Sequence, residues 1–81
     1  MTNRVEIAAA IAAKVNALTE AKAMEVYSSL RLFVMGERKK GQQAPASAAD
    51  AMTLAGDALE ARIGEDRFFE LIDSIDNHVF A

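Results

Sequence analysis

Proline occurs once in this chain, at Pro45, and glycine only four times among 81 residues. Long stretches on either side of Pro45 therefore hold little that stops a helix, and alanine, the strongest helix former, recurs through them. β-branched residues do not cluster, so no run reads as a strand. The chain is confined to an all-α fold. Large apolar residues in every segment separate it from disordered sequences.

A single domain spanning 1–81 is expected, and its size is a constraint in itself. At this length folding buries only about 60–65% of the unfolded chain's surface, and small domains usually add a staple to a marginal core. There is no cysteine, which removes disulfides and thiolate zinc sites, and one histidine cannot make a His-rich metal site. Association with a second copy is the staple left, so a homodimer is expected. The apolar stretch Ile7 to Ala13 lies between Glu6 and Lys14. It is far below the roughly 20 residues of a bilayer span and short for a signal peptide. The expected location is cytoplasmic, with no membrane partner.

Four helices can be read along the chain. Asn3 followed by Glu6 has capping-box spacing, and Ile7, Ile11, Val15 and Leu18 then recur at steps of four, four and three. The first helix is predicted over Arg4 to Asn16. Leu18-Thr19-Glu20 reads as a restart, with Thr19 as N-cap and Leu18 as the start of a hydrophobic staple. The alternative is one unbroken helix from Arg4 to Lys40, which no proline or glycine there strictly forbids. The second helix carries Val26, Tyr27, Leu30, Phe33 and Val34 on one face, widened by Met24, Leu32 and Met35. A stripe this broad contacts two elements. Gly36 is a possible fraying point; otherwise the helix runs through Arg38-Lys39-Lys40 to Gly41, a C-terminal signal.

Residues 41–46, Gly-Gln-Gln-Ala-Pro-Ala, form a linker without apolar anchors. Ser47 with Asp50 repeats the capping-box spacing and is predicted to start the third helix, which turns Met52, Ala55, Leu59 and Ile63 inward until Gly64 ends it. The fourth begins near Glu65-Asp66 and presents Phe68, Ile72, Ile75 and Val79, with Phe69 and Leu71 beside them. The expected architecture is a small four-helix arrangement of two helical hairpins joined by the 41–46 linker and completed by dimerisation.

The hairpins differ in sign. Residues 1–49 hold seven basic and four acidic groups, a net of +3, whereas residues 50–81 hold two basic and eight acidic groups, a net of −6. The simplest reading is that opposite halves dock on each other or pair between subunits. The sharper readings are an acidic half that imitates nucleic acid or fits a basic protein groove, and a phosphate-contact patch at Arg31, Arg38, Lys39 and Lys40.

Catalytic constellations are weak. Ser74 and His78 lie four residues apart on one helix, but a nucleophilic serine needs an oriented base inside a concave pocket. A histidine at a helix C-terminus more commonly serves the helix dipole. Glu70, Asp73 and His78 lack the Glu-x-x-His spacing of di-metal bundles, because Ile75 stands three residues before His78. No phosphate-binding glycine run is present. No cofactor, no metal and no catalytic residue are expected. A helix-turn-helix reading of the third and fourth helices fails chemically, since Glu65-Asp66-Arg67-Phe68-Phe69 would present carboxylates and phenyl rings to phosphates.

The sequence therefore points to a small regulatory or adaptor protein that binds another protein through apolar helical faces. A bacterial or phage-encoded inhibitor of a host protein is one member of that class. The expected partner or dimer interface comprises Val26, Tyr27, Leu30, Leu32, Phe33 and Met35, with Phe80 near the end either packed back on the first helix or reaching across. A nucleic-acid-associated transcriptional regulator using the basic end of the second helix is the alternative.

Overall fold

The computed structural model describes residues 3–81 and contains four helices. These are α1 (Arg4–Ala17), α2 (Glu20–Lys39), α3 (Ala46–Ile63) and α4 (Glu65–Val79). No strand occurs among the described residues, and none of their helices is long and apolar enough to cross a membrane.

Local chemistry sets each boundary. Asn3 caps α1, its Oδ1 accepting from the Glu6 N–H at 2.8 Å. Leu18 (φ −83°, ψ 159°) and Thr19 (φ −62°, ψ 157°) are both extended, so α1 and α2 are separate helices. Leu18 packs against the core and the Thr19 hydroxyl accepts from the Lys22 N–H at 3.2 Å, which together fix the restart. Helix α2 passes through Gly36 without interruption and ends in a Schellman motif. There Gly41 adopts φ +78°, its N–H bonds the Arg38 carbonyl at 3.0 Å, and the Gln42 N–H bonds the Glu37 carbonyl at 2.9 Å.

The start of α3 differs from the capping box expected at Ser47 and Asp50. Pro45 occupies the N-cap, and its carbonyl accepts from Ala48 and Ala49 at 3.0 and 3.1 Å. The ring holds φ at −52° with ψ at 139°, already a helix-entry conformation, so the helix begins two residues earlier than a serine cap would allow. Asp50 is thereby freed to reach Arg4, 3.5 Å away. A single residue, Gly64, separates α3 from α4. At φ +95° and ψ 156° it occupies a region essentially reserved for glycine. Its N–H closes α3 on the Glu60 carbonyl and its own carbonyl opens α4 by accepting from Phe68.

Packing departs from a pair of sequential hairpins. Helix α1 lies chiefly on α3; α2 packs on α3 and α4; and α3 also touches α4. Side-chain contacts give the directions. Arg4 meets Asp50 near the starts of α1 and α3, and Arg62 donates to the Val15 carbonyl near their ends, so these helices run parallel. Glu20 pairs with Arg67, Arg31 with Asp76, and Lys39 donates to the Val79 carbonyl, so α2 and α4 are parallel as well. The N-terminal half is thus not a closed hairpin: each of its helices takes its main neighbour from the other half. The molecule measures 34 × 31 × 17 Å, a short dimension that fits two layers of packed helices.

Leu59 of α3 and Val34 of α2 are fully buried at the centre of the core. Beside them the Tyr27 and Phe68 rings stand 5.4 Å apart, inclined at 48°. Both press on Gly56, where a Cβ would lie 3.2 Å from Tyr27 Cε2 and 3.2 Å from Phe68 Cζ. Gly36, by contrast, has no such neighbour within 4 Å. Alanine gains helix propensity at both sites, but at Gly56 two held rings must move. Gly56→Ala is expected to lower stability by about 1 kcal/mol through overpacking. Gly36→Ala is expected to raise it by about 0.5–1 kcal/mol. Urea denaturation of both at one protein concentration checks the opposite signs; equal gains would show that the rings yield freely.

Candidate protein-binding surface

Helix α2 divides its apolar residues between two faces. Ala23, Tyr27 and Val34 enter the core, joined by Met35 on the flank toward α4. Tyr27 is 3% exposed and Met35 is buried, so these two, expected on the contact surface, belong to the protein's own interior. The expected face mixed residues that differ in burial: Val26 and Phe33 do not share the inward direction of Tyr27 and Val34. Val26 remains 46% exposed and Phe33 50%, and Leu30 is half-buried between them. Leu32 is also exposed, but three and four residues from Ser28, Ser29 and Gly36 it lies away from the Val26–Phe33 edge. Phe80, at the C-cap of α4, is 55% exposed.

The basic groups fare differently from one another. Arg31, expected as an electrostatic contact, grips Asp76 with Nε to Oδ1 at 2.9 Å and Nη2 to Oδ2 at 2.8 Å. Its Nη1 also donates to the Tyr27 hydroxyl at 3.1 Å, and its side chain is only 13% exposed. The hydrogen bond to Asp76 is the main reason that the guanidinium pKa is raised above its ordinary value, with burial acting in the opposite direction. Lys39 is also engaged, donating Nζ to the Val79 carbonyl at 2.6 Å and so satisfying the end of α4. Lys40 is exposed and pairs at 3.5 Å with the partly shielded Glu37, and Arg38 remains exposed with Nη1 3.9 Å from the Met35 sulfur. Of the four groups in the proposed phosphate patch, two are committed to internal contacts with the acidic half.

The opposite-sign halves dock within one chain. Arg4–Asp50, Arg31–Asp76 and Glu20–Arg67 all cross between them. The Arg31 pair is the best shielded of the three.

Two exposed apolar positions were not legible as surface. Phe69 reads as part of the α4 stripe but is half-exposed, its ring 6.1 Å from that of Phe68. Ile7 reads as an inward residue of α1 yet is largely exposed. With Ile11, Ala51 and Leu54 it lines an open cleft of about 310 Å³ between α1 and α3, which Arg4 and Asp50 border. Ser74 and His78 are both exposed on α4, so neither has the enclosed setting that nucleophilic catalysis uses. Comparison with protein-family models, curated proteins and solved structures yields no match.

Removing Arg31 leaves a half-shielded carboxylate and a core phenol without their partner. Arg31→Ala is expected to cost about 2 kcal/mol, whereas Arg38→Ala should stay within about 0.5 kcal/mol. Thermal and urea denaturation compare them. A loss for Arg31→Ala no larger than that for Arg38→Ala would mean that the Asp76 contact contributes little.

Proposed function

We propose that the protein acts by binding another protein through the outer face of α2, as a small regulatory or adaptor module and without catalysing a reaction. The observation that carries this reading is the placement of Val26 and Phe33. Both are large apolar side chains left about half exposed on a helix whose other face already builds the core. Single exposed apolar residues are ordinary on protein surfaces, but two that stand about two turns apart with Leu30 on the turn between them form a continuous edge.

The small size of the domain supports a partnered state, because covering the Val26–Phe33 edge adds apolar burial that the isolated chain lacks. A homodimer is one form that such a partnered state takes. The nucleic-acid reading receives less support, because Arg31 and Lys39 are held by Asp76 and the Val79 carbonyl.

Phe33→Glu tests the proposal. Its side chain is exposed, so the variant is expected to keep its helical circular dichroism and lose less than about 1 kcal/mol of stability. Tagged wild-type protein in an extract of the cells that make it should retain a protein partner that the variant loses. Equal retention by both would overturn the assignment of this face.

A further inference from the structure

Resting on the reading of α2 as the binding face, we infer that its occupant is a second copy of the same helix, packed antiparallel about a two-fold axis between Ser29 and Leu30. Lys22, Val26, Leu30, Phe33 and Glu37 follow one another at steps of four, four, three and four, which places them along one edge of α2. Ser29 lies beside the midpoint, exposed and small enough to let two backbones approach. Helix α1 packs on α3, and Val26, Ser29 and Phe33 are left exposed.

The order of residues along this edge is self-complementary in one orientation. Val26 and Phe33 stand equally far from the point between Ser29 and Leu30, and so do Lys22 and Glu37. At a rise of about 1.5 Å per residue, the first pair lies about 5 Å from that point along the helix and the second about 11 Å. Reversing a second α2 about this point sets Val26 against Phe33 of the partner, and Lys22 against Glu37 of the partner. A two-fold axis makes each contact twice. Parallel pairing in register would instead oppose Lys22 to Lys22 and Glu37 to Glu37. Like-charge opposition of that kind disfavours the parallel geometry. The charges therefore select the orientation and the apolar residues supply the contact area.

Lys22 and Glu37 already have neighbours within their own helix, Glu25 and Lys40, each at 3.5 Å. Both are i, i+3 pairs with an exposed lysine and hold their members weakly, although the Glu37 side chain itself is 22% exposed. Glu37 therefore meets the partner's Lys22 from a partly shielded position.

Charge reversal provides the test. Wild-type protein at about 100 μM should sediment as a dimer. Lys22→Glu or Glu37→Lys alone places two like-charge contacts in each dimer and should weaken association at least 10-fold, whereas the double variant restores both pairs and should return to within about threefold of wild type. Circular dichroism establishes that each variant is helical. The chain has no cysteine, so Val26→Cys and Phe33→Cys proteins can also be mixed and oxidised. Random pairing of equal amounts gives about twice as much mixed disulfide as either homodimer, so the mixed species should exceed each homodimer by clearly more than that; a random ratio overturns the pairing.

A monomeric wild type, a double variant no better than the singles, or homodimeric disulfides in excess would each overturn the antiparallel pairing. If wild type is monomeric while Phe33→Glu still loses a different protein partner, self-association fails and the binding face stands. If Phe33→Glu changes neither mass nor retention, both fall.

Discussion

The closest constraint in the molecule is the contact of two aromatic rings with the bare backbone of Gly56. Tyr27 and Phe68 come this close to α3 where position 56 carries no side chain, and they bring α2 and α4 onto α3 at one point. Tyr27 so placed offers its hydroxyl to Arg31, and Arg31 so placed takes Asp76 in both arms. An apolar approach and a charged clamp are thus two ends of one arrangement. The core is small, but one glycine lets three helices share it.

That arrangement also determines what is left for the outside. The half with a net positive charge spends Arg4 and Arg31 on carboxylates of the other half, and Lys39 on its last helical carbonyl. Part of the charge asymmetry along the sequence is therefore spent on internal docking. Apolar side chains show the reverse. Val26 and Phe33 are excluded from the interior because α3 and α4 occupy the other side of α2, so a helix with more apolar residues than its neighbours can cover keeps an uncovered edge.

Helix class and most boundaries were legible in the sequence because they depend on neighbours within a few residues. Asn3, Thr19, Gly41 and Gly64 act locally, and the structure uses each of them. Pro45 also acts locally, and its role as N-cap was missed because the Ser47–Asp50 spacing has the better-known signature. The packing partners were less legible. Periodicity shows that Tyr27 and Phe33 lie on a broad apolar arc, but not where the neighbouring helices divide it. Tyr27 falls inside that division and Phe33 outside. The same holds for Arg31, whose partner stands 45 residues away and leaves no mark on the local pattern.

The parallel arrangement of α1 with α3 and of α2 with α4 has a consequence for how the chain is made. In an up-and-down bundle each new helix can close on the one just before it. Here the contacts that join the halves span 40 residues for Lys39 and Val79, 45 for Arg31 and Asp76, and 47 for Arg62 and Val15. Loops of that size must close before those contacts return any free energy. During synthesis α1 and α2 emerge with their inner faces bare, and Arg31 lacks its counter-ion until Asp76, 45 residues later, has been added. Through that stretch the apolar faces of α1 and α2 wait for α3 and α4 to cover them, so the N-terminal half depends on the C-terminal half for its folding.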